Sequence, residues 1–202
     1  MEKWVFFDCG EMPGGIAGFL IDAKHLSTED LSKFGLPANY QGMVPVSMYI
    51  AIPMALQNSW FGHNLSSANK IIDFDLSGLG LLTKAIGIEI FKIRNLLGAT
   101  QWNSSALHIH LQLSDMKILS SYTPAHSHPN TMTYQSVYSK ESLINSLDGT
   151  HRKAQNWDLL YPKDDLNFSK NFQKKIEKGK EYSIIGRPIE NEGQICYPIK
   201  EL

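Results

Sequence analysis

The chain has 202 residues, with 19 basic and 20 acidic side chains and a formal net charge of −1. Its length suits one hydrophobic core and leaves little for a second. The apolar fraction of 43% excludes a disordered chain, and the balanced charge gives no reason to expect nucleic acid or an anionic membrane as partner.

Cys9 and Cys196 are the only cysteines. Two unclustered cysteines make neither a disulfide framework nor a zinc finger, so a reducing, cytoplasmic setting is expected. Met1 to Lys3 does not read as the start of a signal peptide. The longest apolar run, Met48 to Leu56, contains Pro53 and is too short to span a bilayer. Residues 1–202 therefore read as a single domain, with 150–202 a more polar extension packed on it.

Trp4 to Phe7 reads as a strand and Glu11 to Gly15 as a turn, since paired glycines permit positive φ. Ile16 to Ile21 reads as a second strand. Ser27 or Thr28 caps a short helix carrying Leu31 and Phe34, with Gly35 as its stop. Val44 to Ile52 alternates without a break, and Pro45 suggests that its first part lies at an edge. Trp60 to Asn64 lacks a regular period and reads as a loop. Lys70 to Leu76 alternates again.

The stretch from Gly78 to Gly98 reads two ways. A helix would gather Leu81, Leu82, Ala85 and Ile86 on one face, but Glu89 would fall inside that face as a costly buried carboxylate. A strand would alternate Ile86, Ile88 and Ile90 with Gly87 and Glu89, and the isoleucine density favours β for Ile86 to Ile93. Leu107 to Leu113 alternates strictly and reads as the cleanest strand, with Ser114-Asp115 turning it into Met116 to Tyr122. Thr131 to Tyr138 is a further strand. Ser139 caps a helix with Leu143, Ile144 and Leu147. Phe168, Phe172 and Ile176 mark an amphipathic helix closed by Gly179, and Tyr182 to Ile185 a last strand. The pattern predicts an α+β, β-rich fold: an antiparallel sheet curled around an apolar pocket, with short peripheral helices.

His108 and His110 would share one strand face, and His126 and His128 form a second pair in a loop. Alternate polar residues more commonly mark the wet face of a sheet, and no carboxylate stands at a ligand spacing, so no metal is expected. The stretch Pro124 to Pro129 resembles the first metal motif of cupins, but lacks its downstream glutamate. Cys9 has no basic neighbour to lower its pKa. Gly78-Leu79-Gly80 before an apolar segment could cradle a phosphate on backbone amides.

Two family resemblances follow from these residues. Gly42 to Pro53, Trp60 to Ala68 and Trp102 to His110 resemble, in order, segments of the acetoacetate decarboxylase-like family. That family's Schiff-base lysine has no counterpart, since no lysine occurs between Lys33 and Lys70. The resemblance implies a small-molecule-binding or lyase-type protein with no cofactor. Tyr49, Trp60, Asn64 and Trp102 would meet a small organic ligand, and Glu11, His63, Glu89 and His110 would serve as acid–base groups. The pKa of Glu89 would be raised if its strand faced the pocket. A homo-oligomer is compatible with this reading.

The alternative resemblance is to the GNAT acyltransferases. Gly78 to Leu82 resembles their CoA-pyrophosphate loop, and Asn103-x-x-Ala106-x-x-Ile109-His110 resembles their Asn, Ala, Leu-Tyr helix, with His110 at the place of the general-acid tyrosine. A third possibility is an interaction domain without chemistry. The acyltransferase reading requires helices over Leu81 to Leu97 and Asn103 to Leu113. The decarboxylase-like reading requires strands through most of both.

Overall fold

A computed structural model of the chain describes residues 14–69, 71–72, 77–125, 127–148 and 154–202. The described residues form ten strands and five short α-helices, and the strand pairing is mostly antiparallel, so the fold is α+β and β-rich. No helix among them is long and apolar enough to cross a membrane. The chain divides into two compact units, one from residues up to 53 and 63–92, the other from 54–62 and 93–202.

In the first unit, β1 (Gly15–Asp22) runs antiparallel to β2 (Met43–Pro53), from Gly15 opposite Ala51 to Asp22 opposite Met43. The register shifts between Phe19 and Leu20, where Pro45 faces Leu20. Pro45 has no N–H for a ladder and so belongs beside such a bulge; it does not mark a sheet edge, because β2 lies between β1 and β3. The helix α1 (Thr28–Lys33) is capped by Ser27, whose hydroxyl accepts the Asp30 N–H at 3.0 Å, and Gly35 ends it with a φ of 69°.

The helix α2 (Leu79–Ile90) lies against β1 and β2. A Cβ on Gly87 would stand 2.6 Å from Cδ1 of Tyr49 and 3.3 Å from Cβ of Ala17, so glycine lets the helix come this close. Val46, Ala68, Ile72 and Leu79 are buried together, with Phe19, Ile21, Leu26 and Phe34 packed around them.

In the second unit, the first residues of β3 (Ser59–Ser67) pair in parallel with β4 (Asn95–Gln101), from Ser59 opposite Asn95 to Gly62 opposite Gly98. α2 lies in the chain between these two strands, which makes a β-α-β connection. β4 continues antiparallel to β6 (Thr131–Val137), which pairs with β5 (Met116–Ser120). β5 pairs with β8 (Tyr182–Ile184), and β8 with β10 (Gln194–Glu201). β10 is flanked as well by β7 (Leu159–Pro162) and β9 (Ile189–Asn191). The helices are α3 (Ser105–Leu113), α4 (Lys140–Leu147) and α5 (Leu166–Glu177). Residues after 154 help to build this core: Tyr161, Phe172, Tyr182, Tyr197 and Ile199 are buried with Trp102, Leu107, Leu111 and Met116.

Three expectations are corrected. Leu107 to Leu113 is helical, and so forms no hairpin with the following strand. Its leucines alternate, but Leu107, His110 and Leu111 also stand at i, i+3 and i+4 and are buried together, while the Ser104 hydroxyl accepts the Ala106 N–H at 3.2 Å. Ile86 to Ile90 is helical too. Glu89 falls on the exposed side of α2, which removes the objection to a helix, and the left-handed Lys92 (φ 53°) follows the helix end. Trp60 to Asn64 is not a loop but part of β3. Trp4 to Phe7, most of Glu11 to Gly15 and much of Lys70 to Leu76 lie outside the described residues.

Candidate functional site

The first turn of α2 begins at Gly78, which has a φ of 80° and, as N-cap, offers no side-chain hydrogen bond to the helix. The helix has no acidic residue in that turn. Its leading N–H groups carry the positive end of the helix dipole, a local arrangement suited to an anion. One turn on, Thr83 donates to the Leu79 carbonyl at 2.7 Å, so the Ser47 hydroxyl donates to Thr83, at 2.5 Å. This fixes the helix start on β2. Lys84, on the same helix, is wholly buried, and burial lowers its pKa to about 7.

A second polar feature lies at the end of β4. Ala99, Thr100, Gln101, Asn103, Ser104, Ser105 and Thr131 line a depression of about 550 Å³ where β4 turns into α3. Four hydroxyls and two amides among seven lining residues suit hydrogen bonding to a polar ligand more than burial of an apolar one. The parallel β3–β4 ladder has by then ended at Gly62 and Gly98, while β4 runs on through Gln101.

His110 lies further along α3, buried to 8% exposure, with its ring centroid 5.4 Å from that of Tyr134. Tyr134 on β6 faces Gly98 on β4, and a Cβ on Gly98 would stand 2.6 Å from the tyrosine hydroxyl. The glycine thus leaves the space that the phenol occupies. An imidazole and a phenol, both able to donate or accept a proton, are thereby held together over β4.

The other residues named from the sequence are scattered. Tyr49 is buried on β2 against Gly87. Trp60 and Asn64 are half-buried on β3, and His63 is exposed there. Trp102 is wholly buried, stacked on Tyr161 at 3.7 Å, and donates its indole N–H to the Ser121 carbonyl at 2.9 Å, so it is a core residue rather than a ligand contact. Glu89 is exposed on a helix, so no strand turns it towards a pocket. Glu11, Cys9 and His126 lie outside the described residues. His108 and His110, two apart on a helix, point about 200° from each other and cannot share a metal as strand neighbours would. Sequence reasoning missed Tyr134, Thr100 and Lys84. Only Lys84 left a signal, as the sole charge between Asp75 and Glu89.

No protein-family model and no curated protein matches the chain. Among solved structures, it is similar to an IAA acetyltransferase from Bacillus cereus ATCC 14579, with 12% identity and a TM-score of 0.37, over 61% of this chain and 99% of that one. It is also similar to a chain described as an acyl-CoA N-acyltransferase, from Klebsiella pneumoniae subsp. pneumoniae MGH 78578. There the identity is 9% and the TM-score 0.38, over 62% of this chain and 98% of that one.

Proposed function

We propose that the protein is a CoA-dependent acyltransferase. The observation that carries this reading is the helical state of α3 over Ser105–Leu113, where a decarboxylase-like fold needs a strand; of the other diagnostic segment, Leu81 to Leu97, the part up to Ile90 is helical in α2, while Asn95 to Leu97 belong to β4. The parallel β3–α2–β4 connection and the glycine-started α2 support it further.

In this reading the leading N–H groups of α2 hold the CoA pyrophosphate, and Gly78 and Gly80 keep side chains out of its way. In the second unit, Asn103 and its hydroxyl-bearing neighbours on the β4–α3 turn offer hydrogen bonds to a polar ligand. An amine or hydroxyl attacks the thioester carbonyl and loses its proton; the C–S bond breaks, and the departing thiolate takes up a proton. His110, with Tyr134 beside it, is the group assigned to that proton traffic.

The test is a thermal-shift and calorimetric titration with acetyl-CoA, CoA and small keto acids. Saturable stabilisation by the two CoA species, with none by keto acids, is expected. Stabilisation by keto acids alone overturns the reading, and no response to any of them favours a non-catalytic interaction domain. Once an acceptor is found by assaying free thiol release, His110→Ala is expected to lower kcat about 10²- to 10⁴-fold, with CoA binding retained.

A further inference from the structure

Three strands of the second unit turn a polar row away from its core. On β5, Met116 and Ile118 are buried in the core, so Lys117 between them takes the opposite face, and Asp115, two positions earlier, has the same parity. Tyr134 of β6 and Tyr182 and Ile184 of β8 are buried in that core too, which puts Gln135 and Ser183 on the face of Lys117. The register sets Lys117 opposite Gln135 on one side and opposite Ser183 on the other. Neighbouring strands lie about 4.8 Å apart, so the three side chains form one row.

The start of α4 stands at the end of this row. The Ser142 N–H donates to the Ser139 hydroxyl at 3.0 Å, and the Ser139 N–H to the Ser142 hydroxyl at 3.2 Å. Ser114 donates to the Val137 carbonyl at 2.8 Å and Ser136 to the Asp115 carbonyl at 3.2 Å, which ties the start of β5 to the end of β6. These elements border a cavity of about 390 Å³, lined among others by Asp115, Lys117, Gln135, Ser139, Ser142 and Ser183. Asp115, Lys117 and Gln135 are half-buried there. The lining selects by charge: Asp115 repels a simple anion, Lys117 repels a simple cation, and the serines and Gln135 add donors and acceptors without net charge. Lys117 also meets Glu181 at 2.8 Å, a solvent-screened contact that leaves an ammonium with three donors able to take a further partner.

We propose that this cavity binds a free α-amino acid in its zwitterionic form. Lys117 and the Gln135 amide take the carboxylate, Asp115 accepts from the ammonium, and the serine hydroxyls accept beside it. A dipolar molecule satisfies both charges of the lining at once, which neither an anion nor an amine does. The site is independent of the acyl-transfer reading, since none of these residues belongs to α2, β4 or α3.

The experiment is a titration of the whole chain with L-alanine, L-serine and L-glutamine at about pH 7, where both charges of an amino acid are present. Heteronuclear NMR follows the backbone amides of Lys117, Gln135 and Ser142. Saturable shifts of these resonances are expected with at least one of the three. For the tightest of them, the N-acetyl derivative, which lacks the ammonium, and the carboxamide, which lacks the carboxylate, should each bind about tenfold more weakly, as loss of one charged hydrogen bond implies. Lys117→Met and Asp115→Asn should weaken binding of the parent amino acid by a similar factor, while Lys178→Met, an exposed control, should leave it unchanged. Unmoved resonances with all three amino acids overturn the proposal without any variant. So does equal binding of the blocked derivatives, or unchanged affinity in the folded Lys117→Met and Asp115→Asn proteins.

Discussion

Lys84 couples the protein's stability to pH. A wholly buried amine with a pKa of about 7, against 10.5 when solvated, holds fewer protons in the folded state than in the unfolded state between those two values. Stability therefore rises as pH increases from about 7 towards 10.5, with a slope of up to about 1.4 kcal/mol per pH unit from this group. Below about pH 7 both states carry the proton and the slope vanishes. Urea denaturation in a pH series should show this rise in wild-type protein and its loss in Lys84→Met. An identical slope in the variant would assign the effect to another group.

At the scale of elements, glycines decide how closely helices and strands approach. Ala is ordinarily favoured over Gly inside a helix by about 1 kcal/mol. At Gly87 the added methyl would meet the Tyr49 ring at 2.6 Å, and overpacking of this kind costs about 1–3 kcal/mol. Packing outweighs propensity, so Gly87→Ala should lower the thermal midpoint despite its better helix former. Thermal unfolding followed by circular dichroism decides it, and a raised midpoint would mean that Tyr49 can swing aside. The same helix explains the sequence-level ambiguity: isoleucines at 86, 88 and 90 prefer strands, yet α2 forms because its buried side packs on β1 and β2.

At the scale of the whole molecule, the segment after residue 154 is part of the second unit's core rather than a covering for it. Tyr161 stacks on Trp102, its hydroxyl donates to Ser169 at 2.6 Å, and Ser169 donates to Asn130 at 2.7 Å. β8 pairs directly with β5. Truncation after Asp158 removes these partners together, so the remaining chain should lose the packing around Trp102. A red-shifted tryptophan emission and binding of an apolar dye are expected, and native emission in the truncated chain would show that the segment is dispensable.

The sequence by itself determined the elements whose local signals agree with their burial. Val44 to Ile52, Ser27 before α1, Ser139 before α4, and Phe168, Phe172 and Ile176 on α5 all formed where read, because capping and periodicity there point one way. Only the tertiary structure decided the two segments on which the proposed function rests. The alternation of Leu107 to Leu113 satisfies a strand's period of two, and its Leu107, His110 and Leu111 satisfy a helix equally well; burial against β4, β6 and β10 chose the helix. Gly98 shows the same limit. Its need for glycine comes from Tyr134, 36 residues on and opposite it across the β4–β6 ladder, a contact that no local pattern encodes. Local preferences act over one turn or one strand, whereas a site is assembled from segments that meet only after the chain has folded.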